Sequence, residues 1–135
     1  MSVQITVTNL NDILKDLDTY GNKADEAIKG AIYEAALALE AESQKNASGR
    51  PGPNVRTGNL RRSIKAEQPT KGFGGLYTAE VRATMVYARA VEFGHPRWKA
   101  GVKYPYIGPA AKRLSGNGTL SRVFTLALAT RLRGA

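Results

Sequence analysis

The side chains that perform most enzymatic chemistry are sparse in this chain. It has no cysteine and a single histidine, His95, which lies beside a proline in a stretch without periodicity. Nucleophilic catalysis requires a base within hydrogen-bond reach of a hydroxyl or thiol, and zinc sites are built from several His or Cys ligands. We therefore expect no disulfide, no metal site, no bound cofactor and no catalytic role for His95.

Acidic residues and glycines also lack a catalytic pattern. Glu67, Glu80 and Glu92 stand far apart in sequence, and most other acids fall on the outward sides of predicted helices. Acid–base chemistry needs two carboxyl groups that converge. The glycines between residues 72 and 75 precede a predicted strand and lack the lysine and hydroxyl spacing of a phosphate-binding loop. The sequence predicts a protein that is not an enzyme.

Charge is distributed unevenly along the chain. Residues 1–49 carry eight acids and four lysines, a net charge of −4; the whole chain is +9, so residues 50–135 carry +13. No acid follows Glu92. Such a basic half favours contact with nucleic-acid phosphates or with an acidic face of another subunit, although it also suits a solvated surface. In a ring of identical copies, the acidic half of one copy would meet the basic half of the next.

Two basic segments suggest nucleic-acid binding as the alternative function. Arg61 and Arg62 are adjacent, and residues 97–99 combine two cations with the aromatic ring of Trp98. A groove that carries cations and a stacking surface can bind a phosphate backbone without reading its sequence. Trp98 and the tyrosines equally suit a core or a subunit contact.

Hydrophobic periodicity in the first half predicts one short strand and two helices. Alternation at residues 3–8 predicts a strand of about six residues, and helical spacing predicts a short helix over 10–19. A longer helix is predicted over 23–45, roughly 35 Å in length. Gly30 lies inside it at a cost of about 1 kcal/mol, which close packing of another backbone would offset. The predicted apolar face consists of Ala24, Ala27, Ile28, Ala31, Ile32, Ala35, Leu39 and Ala41.

The middle of the chain is predicted to form a loop followed by a hairpin. Turn-forming residues over 46–56 predict a mobile loop. Thr57 is predicted to cap a short helical turn that carries Leu60. Strands are then predicted over 64–68 and 76–86, joined by a glycine-rich turn, and alternation gives the second strand one apolar face.

Residues 87–93 return to helical spacing. Gly94 is predicted to end this helix as its C-terminal cap. The predicted inward residues are Tyr87, Ala90, Val91 and Phe93. Glu92 is the one acid in a basic neighbourhood, and it is predicted to form an ion pair with Arg61, Arg62 or Arg89. An exposed pair of this kind contributes about 0–1 kcal/mol.

The C-terminal part is predicted to form a loop and two helices. Residues 95–103 are basic and aperiodic, which predicts a long mobile loop. Pro109 suits the first turn of a helix that continues through Leu114. After the turn at 115–118, a last amphipathic helix carries Leu120, Val123, Phe124, Leu126, Ala127 and Leu128.

These elements together predict the fold class. We expect an α+β fold in which a small, mostly antiparallel sheet packs against one long α-helix and shorter C-terminal helices. The length of 135 residues predicts a single domain over 1–135. No apolar run approaches the roughly 20 residues that span a bilayer, and the N-terminus lacks the pattern of a signal peptide, so we expect neither membrane insertion nor secretion.

Three short segments, 56–64, 87–94 and 104–110, resemble a known family. They contain T-G-x-L-x-x-S-I, Y-A-x-x-V-E-F-G and aromatic-x-x-P-A elements, and in this order they resemble the small tail-completion or head–tail joining proteins of long-tailed phages. The resemblance implies a non-enzymatic virion protein, assembled in the host cytoplasm. It also implies a neck ring of six or twelve copies between the head connector or stopper and the tail-tube or terminator proteins. A ring around a DNA channel with a basic lumen would allow non-specific contact with the phosphates of packaged DNA.

Within this resemblance, the exposed loops and basic residues are the candidates for contact with neighbouring subunits. The predicted interface residues are Arg50, Arg56, Arg61, Arg62, Glu92, Arg97, Trp98, Lys99, Lys103 and Tyr106. Two positions depart from the family pattern: Tyr106 stands where phenylalanine is usual, and Gly108 where a larger residue is common. Substitution of Arg61 and Arg62 by glutamate is predicted to impair assembly while the monomer still folds.

Overall fold

The architecture combines one antiparallel sheet with a layer of helices. The computed structural model describes residues 2–6, 22–49, 52, 58–71, 77–95, 97 and 103–133. In chain order the elements are β1 (Ser2–Thr6), α1 (Asn22–Asn46), α2 (Asn59–Ser63), β2 (Ile64–Ala66), β3 (Thr70–Lys71), β4 (Tyr77–Ala83), α3 (Ala88–Phe93), α4 (Ile107–Gly116) and α5 (Thr119–Arg133). The helix predicted over 10–19 lies outside the described residues.

Strand β4 is the centre of the sheet. It pairs antiparallel with β1 on one side and with β2 and β3 on the other. The alternation of its side chains is as predicted: Tyr77, Ala79, Val81 and Ala83 are buried. On the opposite face, Glu80 accepts a hydrogen bond from Gln4 of β1 at 2.7 Å. One face of the sheet is therefore apolar and covered by helices, while the other is polar.

Helix α1 covers the apolar face of the sheet. Its buried residues are Ala24, Ala27, Ile28, Ala31, Ile32, Ala35, Ala36, Leu39 and Ser43. The prediction for this face was wrong at Ala41, which is exposed. Helix α5 packs along α1, as the many alanines allow. A side chain, not the predicted backbone, fills the space over Gly30: a Cβ atom there would lie 2.2 Å from Arg131 Nε.

The C-terminal helices form as the sequence predicts, with one error. Pro109 lies in the first turn of α4, and α5 follows the short turn at 117–118. Leu120, Phe124, Leu128 and Leu132 recur every fourth residue of α5 and pack against the core. Leu126, expected on the apolar face, is 61% exposed, because it falls outside this stripe. The α+β class is confirmed.

Helix α2 starts differently from the prediction. Gly58 holds its N-cap position with a left-handed backbone, φ 78°, whereas Thr57 was expected there and lies outside the described residues. Leu60 is buried in the core. Of the loop predicted over 46–56, Gly52 is buried against the end of α1, where a Cβ atom would lie 2.1 Å from the Asn46 carbonyl oxygen. At least this position of the loop is packed.

Candidate interaction surface

The glutamate of the second motif segment caps a distant helix. Glu92 lies on α3 and is 3% exposed. Its Oε2 atom accepts hydrogen bonds from the backbone N–H groups of Tyr106 at 2.7 Å and Ile107 at 3.0 Å, and its Oε1 atom accepts one from Gly108 at 2.8 Å. The first N–H groups of a helix have no partner within that helix, and the helix dipole favours a negative charge there. Glu92 therefore fixes the start of α4 to α3.

This cap takes the place of the ion pair predicted for Glu92, and the three arginines proposed as its partners make other contacts. Arg61 donates a hydrogen bond to Ser48 at 3.0 Å, and Arg62 donates one to Asn59 at 2.6 Å. The Arg89 guanidinium lies 5.6 Å from the centre of the Phe93 ring. Because the first capped N–H group lies 14 residues after Glu92, no local capping pattern in the sequence indicated this role.

Tyr106 and Gly108, the two positions predicted to depart from the family pattern, both support the contact between α3 and α4. Tyr106 is fully buried, and its hydroxyl donates a hydrogen bond to the Ala88 carbonyl oxygen at 3.1 Å, which a phenylalanine could not do. Burial, and then the negative charge of Glu92, raise the pKa of this hydroxyl above its ordinary value. Gly108 leaves room for the carboxylate, since a Cβ atom there would lie 2.7 Å from Glu92 Oε1.

Further hydrogen bonds hold this junction at the C-terminal end of α1. Asn46, the last residue of α1, donates its side-chain N–H to the Tyr106 carbonyl oxygen at 3.1 Å. The Tyr104 N–H donates to the Val91 carbonyl oxygen at 2.8 Å. The bond between Arg61 and Ser48 ties α2 to the same end of α1. The tertiary structure thus brings together the three segments that carry the family resemblance.

Helix α3, which forms one side of this junction, and the residues before it present a set of large apolar side chains to solvent. Val86 is 98% exposed, Phe93 57% and Tyr87 40%, and Arg89 is exposed beside Phe93. We refer to Val86, Tyr87, Arg89 and Phe93 as the α3 patch. Tyr87 and Phe93 were predicted to point inward, and this was wrong, because Ala88 and Glu92 take the buried positions of α3.

The comparison with protein families agrees with the motifs. The family model described as "Bacteriophage HK97-gp10, putative tail-component" matches residues 11–94. The chain belongs to this family. No curated protein and no solved structure matches it. The resemblance to phage tail proteins is confirmed, and membership of the HK97-gp10 family implies a structural tail protein located in the virion.

The HK97-gp10 match contains the first two motif segments and ends at Gly94, the residue that ends α3. Gly94 has φ 89°, and its N–H donates to the Ala90 carbonyl oxygen at 2.7 Å. This is the C-terminal cap predicted from the sequence. The residues that Glu92 holds, 106–108, lie beyond the matched range.

The predicted interface residues of this HK97-gp10 family member fall into three groups. Arg61, Arg62, Arg97 and Lys103 are exposed. Glu92 and Tyr106 are buried, so both were wrongly assigned to a surface contact; their role is internal. Arg50, Arg56, Trp98 and Lys99 lie outside the described residues. The strand predicted over 76–86 included Val86, which was wrong, because β4 ends at Ala83 and Val86 lies in the turn that follows, where it is exposed.

Most acids of α1 form ion pairs with basic residues of the same chain. Glu42 pairs with Arg113 at 2.6 Å and Glu34 with Arg131 at 2.9 Å. At the start of α1, Asp25 pairs with Lys29 at 3.3 Å and with Lys71 at 3.5 Å. These acids therefore do not form the free acidic face that the charge distribution suggested. The remaining acids of the first half include Asp12, Asp16 and Asp18, which lie outside the described residues.

Two other kinds of site are missing from the part of the chain that the structure describes. Within those ranges, no group of three or more His, Cys, Asp or Glu side chains is arranged to hold a metal ion. No helix among the same residues is long and apolar enough to cross a membrane. The α3 patch and the exposed cations near the junction remain the candidate site of this tail component.

Proposed function

We propose that this protein is a non-enzymatic structural protein of the phage neck, which forms a ring that joins the head connector to the tail. Membership of the tail-component family supports the coarser part, a structural tail protein. The observation that supports the head–tail joining ring is the α3 patch. This exposed apolar surface lies on a helix that Glu92 fixes to the start of α4.

The chemistry of the motif residues favours a structural role. Both oxygens of Glu92 are occupied by backbone N–H groups, and the Tyr106 hydroxyl is occupied by the Ala88 carbonyl oxygen. A catalytic acid or nucleophile must be able to reach a substrate. These two buried side chains instead set the angle between α3 and α4, and thereby the orientation of the surface above them.

The composition of the α3 patch suits a protein contact. Protein interfaces are enriched in aromatic side chains and arginine, and a few such residues supply most of the binding free energy. Val86 is 98% exposed, so its side chain buries almost no apolar surface in the isolated chain. Burial of apolar surface stabilises by about 25 cal/mol per Å², so a neighbour that covers the patch would provide the missing contact.

A deletion experiment tests the proposed function. The gene is removed from the phage or prophage that encodes it, and the products are imaged by negative-stain electron microscopy. We expect separate heads and tails, and joined particles once the wild-type gene is supplied in trans. Immunogold labelling of the complemented particles should mark the neck. Normal joined particles without the gene, or label away from the neck, would contradict the proposal.

The exposed cations keep non-specific nucleic-acid binding as the alternative function. Arg61, Arg62, Arg97 and Lys103 are all solvent-exposed. Light scattering of the purified protein, at low and high salt and with and without duplex DNA, separates the two functions. A neck protein should give a monomer or a discrete ring without a salt-sensitive DNA complex. A saturable complex that dissociates steeply with salt would favour the alternative.

A further inference from the structure

The α3 patch and the two points where residues 7–21 join the fold lie at opposite ends of the molecule. Helix α1 has 25 residues and is therefore roughly 37 Å long at 1.5 Å per residue. The junction beneath the α3 patch is bonded to Asn46, at the C-terminal end of α1. Residues 7–21 start after Thr6, which pairs with Thr78 near the beginning of β4. They end before Asn22, at the N-terminal end of α1.

The beginning of β4 and the beginning of α1 also lie together. The Tyr77 hydroxyl, on the first residue of β4, donates a hydrogen bond to Asp25 in the first turn of α1. Both attachment points of residues 7–21 are therefore at one end of the molecule, and the α3 patch is at the other.

The chemistry of residues 7–21 complements that of the α3 patch. Their sequence carries three acids and one lysine, a net charge of −2, together with apolar residues at helical spacing. The acids are Asp12, Asp16 and Asp18, and the apolar residues are Leu10, Ile13, Leu14 and Leu17. The α3 patch combines apolar side chains with Arg89, and the exposed Arg97 and Lys103 follow it on the chain. Glu92, the only acid of α3, is buried.

We propose that the α3 patch of one copy binds residues 7–21 of the next copy. This inference rests on the proposed ring, of which it names the subunit contact. A contact between opposite ends of identical subunits is head-to-tail, and it closes into a ring when the rotation between copies allows. The acids of α1 that pair with basic residues of the same chain are already engaged. Asp12, Asp16 and Asp18 supply the complementary charge in sequence.

The absence of cysteine makes a cross-linking test direct. Two single-cysteine variants, Asp16→Cys and Val86→Cys, carry tags of different size and are co-expressed during particle production. Particles are purified and oxidised, and the cross-linked products are resolved on a non-reducing gel. Because each chain holds one cysteine, a mixed dimer arises only between copies. Thr125→Cys, exposed on α5, replaces Val86→Cys in the matched control.

The expected result is a mixed dimer of Asp16→Cys with Val86→Cys well above the control pair. Addition of Arg89→Glu to the Val86→Cys chain should lower the cross-linked fraction about tenfold or more, since like charges placed opposite each other are unfavourable. A mixed dimer no more abundant than the control, in particles that contain both variants, would overturn this contact while the neck function stands. Cross-linking of Val86→Cys to a different virion protein, or its protection by DNA, would overturn it as well.

Discussion

Gly108 donates its backbone N–H to Glu92 Oε1 at 2.8 Å, and a Cβ atom at Gly108 would lie 2.7 Å from the same oxygen. The hydrogen bond and the close approach depend on each other, because a side chain at this position would push the carboxylate away from the helix start. The glycine is thus part of the cap that joins α3 to α4.

Gly108→Ala should destabilise the protein by about 1–3 kcal/mol, the usual cost of disturbing a buried hydrogen-bonded group. Gly116→Ala, in the last turn of the same helix, is the matched control, because no other described element comes within 4 Å of the place that a Cβ atom would take there. Alanine is favoured over glycine in helices by up to about 1 kcal/mol, so the control should be neutral or stabilising. Urea unfolding measures the change in the free energy of unfolding for each variant. Equal changes in Gly108→Ala and Gly116→Ala would contradict the role of Gly108.

Glu92→Gln tests the cap itself. The amide keeps one acceptor oxygen but directs an NH₂ group at backbone donors, so we expect a loss of about 2–3 kcal/mol in the free energy of unfolding. Glu26→Gln, at an exposed site on α1, should change it by less than about 0.5 kcal/mol. Thermal unfolding compares the two variants. If the melting temperature of Glu92→Gln falls no further below that of the wild type than the melting temperature of Glu26→Gln does, the cap does not stabilise the junction.

The pair of Tyr77 and Asp25 should make stability depend on pH in the acid range. The hydrogen bond from Tyr77 lowers the pKa of Asp25 below 3.8, against the opposing effect of burial and with help from Lys29 and Lys71. The folded state therefore gains stability above about pH 4, and this gain is lost as the pH falls through the lower folded-state pKa.

Tyr77→Phe should accordingly lose about 1 kcal/mol at pH 7, and the difference from wild type should shrink between about pH 4 and pH 2. Urea unfolding at several pH values measures it. Tyr33→Phe, at a half-buried site on α1, serves as the control. A difference for Tyr77→Phe that stays constant across this acid range would show that Asp25 is not its partner.

Gly30 and Arg131 should behave as a coupled pair. Arg131 lies over Gly30 and pairs with Glu34 at 2.9 Å, so Gly30→Ala gains helix propensity but displaces the guanidinium. In an Arg131→Ala background only the gain of about 1 kcal/mol remains. A double-mutant cycle by urea unfolding should show that Gly30→Ala is more favourable in the Arg131→Ala background. Equal effects in both backgrounds would mean that Arg131 does not occupy this space in solution.

Ser43 offers a stabilising substitution. Its hydroxyl is fully buried on α1 and has no hydrogen-bond partner among the described residues. An unsatisfied buried hydroxyl costs about 1–3 kcal/mol, so Ser43→Ala should raise the free energy of unfolding by about 1 kcal/mol. Ser121→Ala, at an exposed site on α5, should leave it nearly unchanged. A loss of stability in Ser43→Ala would reveal a partner for this hydroxyl.

Local sequence patterns predicted most of the described secondary-structure elements and the family. Period-two alternation identified the buried face of β4, and helical spacing identified α1 and α5, because both signals depend on residues close in sequence. Gly94 was recognised as a helix end for the same reason. The family resemblance depended on short motifs, and it required no knowledge of which residues touch.

The roles of the motif residues, in contrast, depend on contacts between elements that are distant in sequence. Glu92 was predicted to pair with a nearby arginine, but folding places it against the start of α4, at a backbone N–H group 14 residues further along the chain. Glu92 and Ala88 take the buried positions of α3 and Phe93 faces solvent, whereas Val91 packs against the core as predicted. Such long-range pairings depend on how separate elements pack, and a local pattern of apolar and polar residues does not encode them.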